Sequence, residues 1–318
     1  MTSKEIVRNT IRFKGASRLP YDFPAQFGYD SDFFWCGMEP NVDGRLTKGV
    51  DEWGCVWDNV GICQLGEVKE FPIKNWADFD WKTAPKLEAK NRFDHMKNIS
   101  SEAGDKYILG FGVSIYERVH FLRGLENAWT DIYAEPENLC KILDVLVDLN
   151  LQTIEKYAEF GVDGYIFCDD WGLQNSLMIS PEKWREFWKP RYKKIYDAAH
   201  AHNMDTFLHS CGYIVDILDD LIEVGLDVIH MDQQENMGLE LLCERFGGKI
   251  TFFAPVDIQK TMASADVDAI RTYCHEMNRL LATEKGGFIP RWYSDPVGAG
   301  HTEEAVRAMC DEFLKIGG

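Results

Sequence analysis

Beyond residue 105 the chain alternates, over and over, between short apolar runs and longer amphipathic stretches. Tyr107 to Ser114, Tyr165 to Cys168, Thr206 to Leu208, Asp227 to Met231, Ile250 to Ala254 and Gly287 to Ile289 read as strands. Residues 117–132, 136–160, 180–202, 213–224, 238–246 and 264–283 read as helices, and a last helix opens at Thr302. Pro136 and Gly161 bracket one of these helices, and Ser180-Pro181 caps and starts another. Strands separated by helices imply a parallel sheet with crossover connections. At 318 residues, and with so many units, the expectation is a closed (β/α)8 TIM barrel rather than two open sheets. No Gly-x-Gly-x-x-Gly follows a strand and no Walker-type loop is present, so nucleotide-binding sheets lack their signature. The barrel is expected to span 1–318 as one unit. Within it, 1–105 form an irregular N-terminal part: a helix over 3–14, then short strands and loops that form a lid.

The polar residues share one address. In Phe207-Leu208-His209-Ser210-Cys211-Gly212, positions 209 and 211 lie two apart on a strand and point to one face. A nitrogen and a soft sulfur meeting there suit Zn²⁺, against the plainer reading of a buried histidine beside a structural cysteine. Asp169, Asp170, Asp232, Gln233, Asp257, Tyr293 and Asp295 also fall where a strand gives out. In a barrel those ends converge on one mouth, where such enzymes place their sites. Each has a plain alternative: helix caps for Asp169 and Asp170, a turn for Asp257, a solvated loop for Asp232, Gln233 and Glu235, packing for Trp292 and Tyr293. Cys168 reads as buried wall, His230 as structural, and Cys243, Cys274 and Cys310 as inert core.

Charge narrows the partners. A formal charge of -18 leaves no basic patch for nucleic acid. Aromatics make up 13% of the chain, with ten tryptophans. Trp53, Trp57, Trp171, Trp292 and Tyr293 could edge a pocket for a flat ring. No apolar run approaches the ~20 residues of a membrane helix, and Met1-Thr2-Ser3-Lys4-Glu5 lacks the apolar core of a signal peptide. Nine scattered cysteines, an odd number, then read as reduced thiols in a cytoplasm.

Several of these stretches resemble the uroporphyrinogen decarboxylase superfamily: Glu5-Ile6-Val7 through Arg18-Leu19-Pro20, Asp169-Asp170-Trp171-Gly172, Ile179-Ser180-Pro181-Glu182, His209-Ser210-Cys211-Gly212 and Asp257-Ile258-Gln259. The resemblance covers nearly the whole chain and implies a barrel of this type. True decarboxylases of the superfamily carry an Arg-Gln-Ala-Gly-Arg stretch near the start; here Arg18 stands alone. The other branch holds zinc-dependent methyltransferases that work with corrinoid proteins, with zinc on a His-x-Cys pair and a later ligand, commonly cysteine. His209 and Cys211 match the pair. The later loop reads Trp292-Tyr293-Ser294-Asp295, so Asp295 is the expected replacement, with Glu235 and Asp232 as rivals. The resemblance points to the methyltransferase component of O-demethylase systems, in which a methyl group passes from a small methoxylated aromatic to cobalamin on a separate corrinoid protein. In that reading Asp169 or Tyr293 protonates the leaving oxygen, while Asp170, Trp171, Asp232, Gln233 and Trp292 bind substrate. Methanol, methylamine or thiol chemistry, a decarboxylase and a non-catalytic corrinoid-protein-binding barrel stand as alternatives. A homodimer is compatible with the sequence.

Overall fold

The computed structural model describes residues 1–39, 48–59, 66–79, 91–295, 297 and 300–318. Parts of the stretch expected as a lid lie outside these residues. Seven parallel strands form one sheet in the order β1 (Phe33–Gly37), β5 (Tyr107–Phe111), β6 (Gly164–Cys168), β7 (Asp205–His209), β8 (Val228–His230), β9 (Thr251–Ala254) and β10 (Phe288–Pro290). An extended segment closes the ring. Asp22 bridges Arg291 in parallel and Ser31 in antiparallel fashion, and its amide donates to the Pro290 carbonyl at 3.1 Å. The result is a TIM-type (β/α)8 barrel whose eighth position is held by a short extended stretch rather than a full strand. β1 and this stretch fell in the region where apolar periodicity was weak.

The remaining strands, β2 (Gly49–Val50), β3 (Val56–Asn59) and β4 (Gly66–Glu70), make a separate antiparallel sheet. Two helices read as continuous are broken. Gly124, at φ +83°, separates Glu117–Arg123 from Leu125–Ala134. The stretch 180–202 splits at Trp188 into Pro181–Phe187 and Lys189–Ala201, because Pro190 cannot supply the amide that an unbroken helix needs. The cap at Ser180 forms as expected, accepting the Lys183 amide at 3.4 Å.

One layer of the core lies inside the barrel. Phe33, Tyr107, Leu109, Ile166, Phe207, Val228, Phe253 and Ile289 fill it, and Val7 and Ile11 of the helix Ser3–Ile11 enter it from the strands' amino ends. Burying each of those two side chains is worth about 1.5–3 kcal/mol. The same helix is pinned electrostatically. Lys4 and Arg8 reach Asp163 at 2.9 and 2.7 Å, and Arg12 reaches Asp205 at 2.8 Å. So, among the described residues, this helix covers the amino-end floor, opposite the carboxyl-end mouth.

Below the floor, His200 Nε2 lies 2.7 Å from an Asp227 carboxylate oxygen, tying the helix Lys189–Ala201 to the turn before β8. The bond to Asp227 raises the His200 pKa, against burial. A raised folded value means stability that is full below the unfolded pKa of about 6.5 and lost as pH climbs through the folded value. Since the ring is 41% exposed, the gain is on the order of 0.5 kcal/mol. His200→Gln should lower Tm slightly at pH 5.5 and not at all at pH 9; equal differences at both would remove this ion pair's role.

Candidate functional site

Three loops build the mouth. After β6 comes Asp169-Asp170-Trp171-Gly172, after β7 Ser210-Cys211-Gly212, and after β8 Met231-Asp232-Gln233. Gly172 and Gly212 let the first two press together. Gly212 sits at φ +75°, and a Cβ on either glycine would collide with the other loop's backbone. The Gly172 amide donates to the Cys211 carbonyl at 3.1 Å, and the Cys211 amide donates to Asp170 Oδ1 at 2.8 Å. Gln233 closes the third side by accepting the Gly212 amide at 2.7 Å.

His209 and Cys211 converge as their spacing predicts: Cys211 Sγ lies 3.4 Å from His209 Nε2. Asp170 Oδ1 stands 3.5 Å from the same nitrogen. Ligands at about 2.0–2.3 Å around a tetrahedral zinc sit roughly 3.4–3.7 Å apart. The spacings of this N, S, O set fit that geometry. Among the described residues, two groups could hold a cation: Asp170 with His209 and Cys211, and His209 with His230 and Asp232, which has no cysteine. Asp295, expected as the third ligand, belongs to neither, and Glu235 accepts a hydrogen bond from Thr261 Oγ1 instead. The correction has a simple cause. Asp170 follows its strand directly and is held by the Cys211 amide, whereas Asp295 sits well past the end of β10.

A second chain of contacts backs His209. Its Nδ1 lies 3.0 Å from His230 Nδ1, His230 Nε2 lies 3.0 Å from Asp232 Oδ1, and the Tyr293 hydroxyl donates to Asp232 Oδ2 at 2.5 Å. Arg291 Nη1 reaches His230 Nε2 at 2.5 Å. His230 had read as structural. Its strand parity with Asp232 and its pairing opposite His209 in the sheet are the signals that place it here. Burial, and then Arg291, hold the His230 ring near a pKa of about 3, so it is neutral. Burial pushes the Asp232 carboxyl up, but His230, His209 and Arg291 outweigh it and hold the carboxyl low. Burial, then Asp170 and Asp232, push the Cys211 thiol up. A bound cation is what would favour its thiolate. Glu117, opening the helix after β5, is also raised, to about 9, by burial and by Asp170 and Asp169.

Above the floor lies a cavity of about 610 Å³ lined by Trp35, Phe111, Cys168, His209, His230, Asp232, Arg291, Trp292 and Tyr293, among others. Trp35 stacks on Phe111 with centroids 5.0 Å apart, and its indole N–H donates to Asp22 at 3.0 Å. Neither aromatic had been singled out from the sequence. Cys168 does line the wall, as expected.

Other expected residues lie elsewhere. The Asp169 side chain is wholly buried and engaged, accepting from the amides of Ile115, Tyr116 and Glu117 and from the Tyr192 hydroxyl at 2.6 Å. It lines no part of the cavity, so it holds the neighbouring helix start rather than facing a leaving group. Trp171 is core: it stacks on Tyr116 at 3.7 Å and donates to Tyr192. Trp53 lies under the Arg118 guanidinium, Trp57 donates to Asp51, and neither lines the cavity. Asp257 accepts the amides of Glu235, Gln259 and Lys260, as a turn residue does. Arg18 is spent on both oxygens of Asp32, away from the cavity. Cys274 and Cys310 are buried in the core.

The family model described as uroporphyrinogen decarboxylase (URO-D) matches residues 67–310. The chain is 22% identical over 242 residues to the methylcobamide:CoM methyltransferase MtbA of Methanosarcina acetivorans, covering 73% of this chain and 62% of that protein. It is 20% identical over 230 residues to a uroporphyrinogen decarboxylase of Bacillus pumilus, covering 68% of this chain and 58% of that protein. The chain thus spans about three-fifths of the length of the curated relatives it matches. In fold it is similar to a methyltransferase from Methanosarcina mazei, with a TM-score of 0.72 and 15% identity over 99% of each chain. No helix among the described residues is long and apolar enough to cross a membrane.

Proposed function

This chain belongs to the uroporphyrinogen decarboxylase (URO-D) family, and from that premise we propose that it is a zinc-dependent methyltransferase moving a methyl group from a methoxylated aromatic to cob(I)alamin on a separate corrinoid protein. One observation carries the reading: nitrogen, sulfur and carboxylate donors converge on one point beside an aromatic-walled cavity at the open mouth.

Asp170, His209 and Cys211 would hold the cation. Bound there, it would supply the positive charge that neutralises an ether oxygen as that oxygen leaves. Trp35, Phe111, Trp292 and Tyr293 line the cavity and would flank such a ring. Tyr293 Oη stays protonated, since burial and then Asp232 push its pKa up; its one proton goes to Asp232, so toward the cavity the oxygen can only accept. Asp232 steers that hydroxyl. With only one sulfur in the donor set, the site suits an oxygen leaving group better than a thiol acceptor, for which thiolate-rich sites are favoured. Decarboxylation of a polyanionic substrate is disfavoured, because Arg18 is committed to Asp32.

The names of the MtbA relatives support a second reading, in which a methyl group passes from a methylcobamide to a thiol. An anaerobic panel separates the two. Zinc-loaded protein is mixed with cob(I)alamin and, in turn, a guaiacyl-type ether, methanol, a methylamine and a methylated thiol, and absorbance follows methylcobalamin. Growth of that signal with the ether alone is expected. Reaction with a methylated thiol and none with the ether would transfer support to the second reading.

A further inference from the structure

We propose that His230 and Asp232 are positioning residues that fix the tautomer of His209, leaving its Nε2 bare toward Cys211 and Asp170. The proposal deepens the metal reading above and concerns only how the chain prepares its own imidazole. The three side chains form a line: Asp232 Oδ1 to His230 Nε2 at 3.0 Å, then His230 Nδ1 to His209 Nδ1 at 3.0 Å. A neutral imidazole has one N–H and one lone pair. Asp232 is an acceptor only, so it claims the His230 proton for Nε2, in a charge-assisted bond stronger than a neutral one. His230 Nδ1 is then a lone pair, and the 3.0 Å contact requires His209 to carry its proton on Nδ1. That leaves His209 Nε2, the atom 3.4 Å from Cys211 Sγ and 3.5 Å from Asp170 Oδ1, without a hydrogen.

The opposite setting has its own claimant. Arg291 Nη1 approaches His230 Nε2 to 2.5 Å, which would call for a lone pair there. The same Nη1 stands 3.4 Å from His230 Nδ1, which puts it beside the ring rather than along the in-plane lone pair of Nε2, and Arg291 also spends Nη2 on the Trp292 carbonyl at 3.1 Å. The anion of Asp232 therefore sets the direction. His230 and Asp232 are only 5% and 2% exposed, and each meets solvent only where it borders the cavity.

The test reads tautomers and metal binding, not turnover. In metal-free protein, ¹⁵N–¹H correlation spectra of the histidine rings should show His209 protonated at Nδ1. In Asp232→Asn the Tyr293 hydroxyl keeps the side-chain oxygen as its acceptor, so the amide turns to His230 Nε2 and donates, which reverses the line and moves the His209 proton to Nε2. Cobalt(II) titration, followed through the thiolate charge-transfer band, should then bind about 10–100-fold more weakly, the usual cost of losing an outer partner of a metal-bound histidine. His230→Leu should show a similar loss. His230→Asn, whose Oδ1 replaces the Nδ1 lone pair, should recover most of the affinity. A wild-type His209 protonated at Nε2, or equal cobalt affinity in Asp232→Asn, overturns the relay. Wild type that takes up no cobalt but carries the Nδ1 proton overturns the metal reading alone, so the two failures differ.

Discussion

Cys211→Ala is expected to yield a folded protein that retains almost no zinc and forms methylcobalamin far more slowly than wild type. The thiolate supplies a direct ligand at the point where Asp170 and His209 also converge, so the loss should exceed the roughly 10–100-fold cost of removing an outer partner. Elemental analysis of the purified protein checks the metal, and the anaerobic absorbance assay checks turnover. The mutated side chain is partly buried, and both loops beside it are held by backbone bonds that do not involve its sulfur. The fold should therefore persist, with an unfolding midpoint close to wild type. Undiminished zinc in the variant would remove Cys211 from the ligand set and with it the central support for the proposed chemistry.

Asp169→Ala should act in the opposite way, on stability rather than chemistry. It leaves three amides and the Tyr192 hydroxyl without their acceptor in a fully buried place. Each unsatisfied buried group costs about 1–3 kcal/mol, so a total of about 4 kcal/mol or more is expected, with a fall in Tm of roughly 10 °C. Denaturant unfolding measures it; a loss below ~1 kcal/mol, a typical point-mutant value, would contradict the assignment. There is a pH signature as well. Burial pushes this carboxyl up to about 7 in spite of its donors. The native state then keeps a proton that the unfolded chain has released, so its stability declines as pH rises from about 4 to about 7. Asp169→Asn, which cannot ionise, should flatten that part of the wild-type profile.

These two residues show what the sequence could and could not say. Strand parity was enough for His209 and Cys211, because two positions on one short strand need no knowledge of the rest of the chain. The barrel was readable for the same reason: each βα unit announces itself locally. Asp169 and Asp170 are adjacent, and parity says only that they face opposite ways. Which one turns to the mouth depends on the loop's path, set by the Gly172–Gly212 contact across two units. Asp295 does not join the His209–Cys211 group because the loop after β10 gives no parity to follow. Trp35 and Phe111 went unnoticed because β1 lies in a stretch with weak alternation and Phe111 closes a run whose end the sequence does not mark. His230 was legible in hindsight: it and Asp232 are two apart, as His209 and Cys211 are.

The way the ring closes bears on how the protein is made. Asp22 joins Pro290 and Arg291, so the two flanks that meet are far apart in the order of translation. Until β10 has left the ribosome, the nascent chain holds an open sheet with bare hydrogen-bonding groups on both sides, a ready template for neighbouring polypeptides. The Arg8–Asp163 and Arg12–Asp205 bonds span 155 and 193 positions, separations that slow folding. Premature termination anywhere before β10 should therefore produce insoluble material rather than a smaller folded barrel.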